Sequence, residues 1–156
     1  MPRKPNVLRL RQIRPIYDTL CVAEAARAWW DLQAPIDSSA KVAQLFDHLR
    51  QECREVFASI HVDSKNRVLC VEIVSIGSLN ASIVHPREVY KTCLLSSAAA
   101  LVVVHNHPSG DPTPSREDLE LTGRLREAGE LLGVRLLDHV ILGDGCYVSL
   151  ADRGLL

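Results

Sequence analysis

The sequence predicts an α/β fold, more narrowly α+β, in which helices flank a mixed β-sheet. The first observation is a change of period: an amphipathic helical pattern before residue 55 gives way to short runs rich in β-branched residues. The second is the alternation of strand and helix patterns in the second half, which gives the order ββ(β)αβαββ. Strands that are separated by a helix can pair in parallel, so this order favours a mixed sheet with helices packed against it.

Composition and charge set the class of protein. The chain has 156 residues, of which 47% are hydrophobic and 24% charged, as expected for one soluble domain with an additional arm. The formal net charge of -1 argues against a protein that coats nucleic acid or membrane through bulk electrostatics. There is no signal-peptide pattern and no apolar run of the roughly 18 residues that span a bilayer. The 5 cysteines lack CxxC spacing, so we expect reduced, mostly buried thiols in a cytoplasmic protein.

The N-terminal region differs from the rest in charge. Residues 1–14 hold several basic residues and no acid. A frayed, solvated terminus is the commoner form of such a segment, and a weak contact with nucleic acid is the alternative. A loose helical pattern follows from Thr19 to about Leu32. We therefore expect residues 1–36 to form an N-terminal arm and helix, partly disordered, and residues 37–156 to form the main domain.

The main domain opens with a predicted helix and hairpin. Residues 37–39 offer an N-cap, and apolar side chains then recur at i, i+3, i+4 and i+7. These apolar residues are Val42, Leu45, Phe46 and Leu49. Two β-rich runs, residues 56–62 and 68–74, surround a turn and predict a hairpin. A second turn at residues 77–80 precedes a short extended piece that ends at Val84.

Helices and strands alternate in the second half. Pro86 suits the first turn of a helix that continues to about Ser97. Gly133 is placed to end a later helix that begins at Ser115. The other predicted elements are a strand over residues 98–104, a strand over residues 134–142, a turn at 143–145 and a return strand over 146–150.

Two histidines and one acid predict a metal site. His105 and His107 follow an apolar strand, and residues i and i+2 of an extended chain point to the same face, so both imidazoles can reach one ion. Asp118 lies in the first turn of the helix that begins at Ser115. Two neutral nitrogens and one carboxylate with a free position are the arrangement of catalytic zinc. The residues by themselves predict a metal site built for hydrolysis.

Each of these residues also has a structural interpretation. Two histidines at a strand end can simply face solvent, and Ser115-x-x-Asp118 is the pattern of a capping box. Asp111 is either a fourth ligand or part of the turn chemistry of the loop. Asn106 is expected to point away from the histidines and to make a structural hydrogen bond.

Metal-assisted hydrolysis also needs a carboxylate that takes up and returns a proton. Three glutamates are candidates. Glu55 stands at the junction between a helix and the first strand, Glu72 lies within a strand, and Glu88 lies in the first turn of a helix. Periodicity does not choose among the three.

The spacing of the candidate site resembles a known signature. His105-x-His107, seven residues, Ser115, two residues and Asp118 resembles the signature of the JAMM (MPN+) zinc metalloproteases. The surrounding sequence is similar to the RadC-like branch of the JAB/MPN domains, including residues 86–89, 105–118 and 137–141. The resemblance covers about residues 37–156. It implies a JAB/MPN-like fold with the three-layer arrangement of the cytidine deaminases.

The resemblance also implies roles for individual residues. It implies one Zn²⁺ held by His105, His107 and Asp118, with water as the fourth ligand. It selects Glu55 as the general acid and base, and it implies that Ser115 stabilises the oxyanion. The implied activity is that of a zinc-dependent metallopeptidase, a hydrolase that cleaves a peptide or isopeptide bond in a protein or peptide substrate. His139 lies within the same family sequence, and we expect it to be a structural histidine whose hydrogen bonds are satisfied.

Three other classes account for part of the sequence. A nucleic-acid-processing factor linked to DNA repair is kept open by the basic residues 1–14, although the string His-Asn-His is not the dispersed pattern of an HNH nuclease. A non-catalytic interaction module is the form that related domains without metal ligands take. A non-haem iron oxygenase also uses two histidines and one carboxylate, but not in this order.

Overall fold

The computed structural model describes residues 16–18, 34–77 and 84–156. The basic residues 1–14, the helix predicted from Thr19 to about Leu32, and Cys21 lie outside these ranges. Most of the extended piece predicted before Val84 lies outside them as well, and Val84 itself is buried but belongs to no strand.

Five strands form one mixed sheet in the order β2-β1-β3-β4-β5. The hairpin strands β1 (Val56–Val62) and β2 (Val68–Ile76) pair antiparallel. β3 (Ala100–Asn106) is antiparallel to β1 and parallel to β4 (Arg135–Leu142). The short β5 (Tyr147–Ser149) pairs antiparallel with β4. The predicted fold class, a mixed sheet with flanking helices, is confirmed.

Helices cover both faces of this sheet. α1 (Ser39–Leu45) and a 3₁₀ helix (Asp47–Gln51) contribute apolar side chains to the core on one face. α2 (Pro86–Leu95) and α3 (Arg116–Leu132) contribute to the core on the other face. Alternate residues of β1 and β3 supply the two cores, as strand geometry requires. The predicted three-layer arrangement is therefore present.

The first helix differs from its prediction. The pattern predicts one continuous helix through Leu49, whereas the α-helix ends at Leu45 and a 3₁₀ turn continues from Asp47. The backbone N–H of Leu49 bonds to the Phe46 carbonyl at 2.9 Å, an i to i-3 bond that tightens the turn. All four apolar residues of the pattern are nevertheless buried, so the pattern identified the buried face correctly. At the predicted cap, Ser38 is the N-cap residue, but its side chain makes no capping bond.

The cysteines only partly follow the prediction. The four within the described ranges are free thiols. Cys93 is buried and Cys70 is half-buried, but Cys53 and Cys146 are exposed, so the expectation of mostly buried thiols was wrong for these two. Among the described residues, no helix is both long enough and apolar enough to cross a bilayer.

The parallel pair of strands positions the candidate site. β3 is buried along its whole length, between β1 and β4. The chain leaves the carboxyl end of β3, passes through α3 and returns in β4. The beginning of α3 follows the carboxyl end of β3, and ligands of open α/β sheets characteristically bind outside this end of the strands.

Candidate metal centre

β3 delivers the two histidines to one place. His105 is the penultimate residue of β3 and is completely buried, with its ring stacked on Phe57 of β1 at a centroid distance of 5.8 Å. His107 lies just beyond the strand, where its backbone N–H bonds to the Leu142 carbonyl at 2.8 Å and extends the pairing with β4. The two Nε2 atoms are 3.0 Å apart. Both imidazoles thus meet at the end of the strand, as their spacing predicts.

Asp118 brings a carboxylate from the first turn of α3. Its Oδ1 lies 3.3 Å from His105 Nε2, and its Oδ2 lies 3.4 Å from His107 Nε2. Donor atoms placed about 2.0–2.1 Å from a tetrahedral ion are about 3.3 Å from one another. The observed separations therefore fit a single ion of the size of zinc. In the described part of the chain, these three residues are the group that could hold a metal ion.

Asp118 takes part in a capping box and also faces the two histidines as a candidate ligand. Ser115 Oγ accepts a bond from the Asp118 backbone N–H at 3.1 Å. In return, Asp118 Oδ2 accepts from the Ser115 N–H at 2.7 Å and from the Ser115 hydroxyl at 2.6 Å. These bonds fix the carboxylate and leave Oδ1 directed at His105. Because the Ser115 hydroxyl donates to Asp118 here, its role toward an oxyanion stays a prediction.

The proline-rich loop supports His107 through its backbone. His107 Nδ1 lies 2.8 Å from the Asp111 carbonyl oxygen, which can only accept, so Nδ1 carries a hydrogen and, in the neutral ring, Nε2 keeps its lone pair. The Asp111 carboxylate instead accepts from the Thr113 N–H and hydroxyl at 2.9 and 2.7 Å. Of the two predicted roles of Asp111, the structure therefore shows the turn chemistry. Gly110 has the positive φ of 84° that this turn requires.

The turn between β4 and β5 braces the same loop. The Asp144 N–H bonds to the Gly110 carbonyl at 2.8 Å. Gly143 approaches so closely that a Cβ atom there would collide with the Gly110 oxygen and lie 2.6 Å from Pro112 Cδ. Only a glycine permits this contact, which holds the loop and its Asp111 carbonyl in place.

Asn106 links the end of β3 that carries the candidate metal site to the segment that carries Glu55. Its side chain is buried and points away from the two histidines, as predicted. Asn106 Oδ1 accepts from the Val56 N–H at 2.7 Å, and Nδ2 donates to the carbonyls of Arg54 at 3.0 Å and Glu52 at 3.3 Å. One carboxamide thus holds the backbone on both sides of Glu55.

The three candidate glutamates lie in different surroundings. Glu55 lines a cavity of about 450 Å³ together with His107, Pro108 and Ser109. Glu72 accepts a hydrogen bond from Thr92 on α2. Glu88 is half-exposed and pairs with the Lys91 ammonium at 2.7 Å. Of the three candidates, Glu55 is the one that lines this cavity together with His107.

Two residues that the sequence did not assign to the site, His139 and Thr122, also contact it. His105 Nδ1 lies 2.8 Å from His139 Nε2, and His139 Nδ1 lies 2.6 Å from Thr122 Oγ1. Both nitrogens of His139 therefore have partners, as expected of a structural histidine, but one partner belongs to the metal cluster. Thr122 follows Asp118 by four residues, which places both on one face of α3. This spacing was the signal in the sequence that could have linked Thr122 to the site.

The charges of the cluster suit a cation. Burial by itself raises the pKa of the Asp118 carboxyl, but the adjoining imidazoles of His105 and His107 and the hydroxyl of Ser115 outweigh it and hold this pKa well below its usual range. The Asp118 carboxylate favours the protonated ring of His107 and is the main cause that raises the pKa of His107, with a smaller contribution from the charge of Glu55. Asp118 is therefore an anion at the centre of the cluster.

Comparison with known proteins places the chain in a family. Residues 36–155 match the RadC-like JAB domain. A UPF0758 protein of Syntrophotalea carbinolica is 60% identical over 117 residues, which are 75% of this chain and 52% of that protein. A UPF0758 protein of Methanosarcina acetivorans is 56% identical over 114 residues, which are 73% of this chain and 50% of that protein. The chain thus spans about half the length of these curated relatives, and their names state no activity.

The family agrees with the geometry of the site. The JAB/MPN superfamily includes metallohydrolases, and the three clustered side chains lie within the matched residues. The mixed sheet and its two helical layers are the architecture expected of such a domain. The chain belongs to the family of RadC-like JAB domains.

Proposed function

We propose that this chain is a zinc-dependent metallopeptidase, a hydrolase that cleaves a peptide or isopeptide bond. The observation that carries the proposal is the convergence of His105, His107 and Asp118 beside a cavity that Glu55 lines. Two imidazole nitrogens and one carboxylate form the ligand set of catalytic zinc and leave a position for water. The separations of 3.0 to 3.4 Å between their donor atoms suit one ion.

The proposed chemistry divides between the ion and the chain. Zn²⁺ at this site would supply a Lewis acid and a water whose pKa falls to about 7. Glu55 is the proposed proton carrier: it takes the proton of the attacking water and returns it to the nitrogen of the leaving amine. Asn106 holds the backbone on both sides of Glu55, which limits the positions that its carboxylate can reach.

Ser115 is the proposed donor to the oxyanion that develops on the substrate. Its hydroxyl now donates to Asp118 Oδ2 at 2.6 Å, so this role requires the hydroxyl to turn toward the substrate. A protein or peptide substrate and a cytoplasmic location complete the proposal. The free thiols of the described cysteines suit a reducing compartment.

Metal analysis combined with a peptide and isopeptide cleavage screen tests the proposal. We expect about one zinc per chain after purification without chelator. Glu55→Gln should lower turnover by about 100- to 10,000-fold and retain the zinc, because it removes only the proton carrier. Glu88→Gln is the matched control, since this half-exposed glutamate pairs with Lys91, and it should leave turnover unchanged.

The other classes predict different results in the same experiments. Hydrolysis that persists at the wild-type rate in Glu55→Gln would remove Glu55 from the mechanism. A protein that binds no metal would be an interaction module, and bound iron would favour an oxygenase. A salt-dependent shift of DNA on a gel that disappears when residues 1–14 are deleted would support nucleic-acid binding.

A further inference from the structure

The hydrogen bonds behind His105 form a chain with one direction. Thr122 Oγ1 lies 2.6 Å from the carbonyl oxygen of Asp118, one helical turn before it. A carbonyl oxygen only accepts, so the single hydrogen of the hydroxyl is donated there. The hydroxyl is left with lone pairs, and it can only accept from its second partner, His139 Nδ1, at 2.6 Å.

This constraint passes through His139. Nδ1 of His139 must carry a hydrogen, because it donates to Thr122. The ring is completely buried, and in the described part of the chain neither of its nitrogens bonds to a carboxylate, so a charged imidazole would be costly. The neutral ring has one hydrogen, which leaves Nε2 as an acceptor.

The last step reaches the ligand itself. His139 Nε2 accepts from His105 Nδ1 at 2.8 Å, so the hydrogen of His105 is on Nδ1. In the neutral ring, His105 Nε2 therefore faces Asp118 and His107 with a free lone pair. We propose that Thr122 and His139 are positioning residues of the metal centre, which fix the tautomer of His105 so that Nε2 can bind the ion. The proposal rests on the metal centre of the proposed function and deepens it.

The comparison with His107 shows why Thr122 is needed. The acceptor of His107 Nδ1 is a backbone carbonyl, which cannot reverse its role. The acceptor of His105 Nδ1 is an imidazole, which donates or accepts according to its tautomer. If the chain ran in reverse, His139 Nε2 would donate to His105 Nδ1, and the hydrogen of His105 would lie on its ligand atom, Nε2. The bond from Thr122 to the Asp118 carbonyl excludes that direction.

Nitrogen NMR of protein labelled with ¹⁵N-histidine tests the proposal without hydrolysis. In metal-free wild type, at a pH where both rings are neutral, we expect His105 and His139 to carry their hydrogens on Nδ1. In Thr122→Val, which keeps the volume and removes the hydroxyl, a second tautomer with the hydrogen on His105 Nε2 should appear. Binding of Zn²⁺ or Co²⁺ to this variant, measured by competition with a chromophoric chelator, should be about 10- to 100-fold weaker.

Two further variants separate positioning from a loss of packing. Thr122→Ser restores the hydroxyl and should restore both the tautomer and the metal affinity. Tyr90→Phe removes another buried hydroxyl that donates to a carbonyl of α3, that of Leu125 at 2.8 Å, and should change neither. A variant that only loosens the core would lower the melting temperature without moving the tautomer.

Defined outcomes overturn the proposal. It fails if the neutral ring of His105 in metal-free wild type holds its hydrogen on Nε2, a measurement that needs no variant to fold. It also fails if Thr122→Val keeps the wild-type tautomers and the wild-type affinity for Zn²⁺. Absence of peptide hydrolysis, together with the expected tautomers and metal binding, would overturn the proposed function and leave this inference standing.

Discussion

Two buried imidazoles on the same face of the sheet have different surroundings. His61 lies near the end of β1, whereas His105 pairs in register with Phe57 near the start of β1, about 13 Å away along the strand. His61 Nε2 lies 3.0 Å from Ser59 Oγ, and its Nδ1 lies 3.0 Å from Ser96 Oγ and 3.2 Å from Cys70 Sγ. Both nitrogens of His61 are thus satisfied by neutral groups.

The difference shows what turns a buried histidine into a candidate ligand. Both rings are almost inaccessible to solvent, so burial does not distinguish them. At His105, one nitrogen is held from behind and the other meets a second imidazole and a carboxylate. The metal end of the sheet also has a helix N-terminus that delivers the carboxylate. Convergence of lone pairs, rather than burial, defines the site.

The end of the sheet that holds His105 and the end that holds His61 should differ most in metal binding. Asp118→Asn keeps the size and the capping acceptor but removes the charge that holds the cation, so zinc affinity should fall by more than about 100-fold, the upper range for loss of a group behind a ligand. His61→Gln should leave zinc affinity unchanged. Competition with a chelator measures both, and equal losses in the two variants would erase the distinction between the ends.

Asn106→Ala should affect stability and catalysis together. Without the carboxamide, the buried Val56 N–H and the carbonyls of Arg54 and Glu52 lose their partners. At about 1–3 kcal/mol for a buried unsatisfied group, the free energy of unfolding should fall by about 2–4 kcal/mol. Turnover should fall further than zinc affinity, because Glu55 loses its support and the ligands do not. Urea denaturation and calorimetric zinc titration check this, and a parallel loss of both functions would contradict it.

The His61 end should respond to pH. Burial lowers the pKa of His61 from 6.5 to about 4, so the folded state binds fewer protons than the unfolded state between these values. The stability that this group contributes is complete above about pH 6.5 and is lost as pH falls toward about 4, by about 2–3 kcal/mol. Denaturation of wild type and His61→Gln across this range measures it. The free energy of unfolding should depend less steeply on pH in the variant than in wild type. Part of the dependence should persist, because burial also lowers the pKa of His139.

The smallest expected effects on stability come from two glycine substitutions, which form a matched pair. Gly143→Ala would push a Cβ against Gly110 and Pro112, so we expect a loss of about 1–3 kcal/mol and weaker zinc binding through the displaced loop. Gly123→Ala places a Cβ in open space within α3 and should stabilise the protein by about 0.5–1 kcal/mol. The melting temperatures of the two variants, measured with and without zinc, distinguish these effects. Equal zinc affinity in both variants would show that the bracing turn does not support the site.

Prediction from sequence succeeded where the information was local. The hairpin, the helix that begins after Ser115 and the cap at Gly133 follow from period and turn chemistry within a few residues. It was less accurate at Phe46, where the helix tightens before the chain enters β1. Local periodicity also could not choose among the three glutamates, because the choice depends on which of them faces the cavity that His107 lines.

By itself, the sequence determined the types and the order of the candidate ligands, because backbone geometry alone spaces His-x-His at a strand end and an acid in the first turn of the next helix. Only the tertiary structure decided which groups stand behind those ligands. His139 reaches His105 across 34 residues, and Asn106 reaches Val56 across 50. Sheet pairing makes those contacts, and the direction of a hydrogen bond depends on the positions of both partners in space.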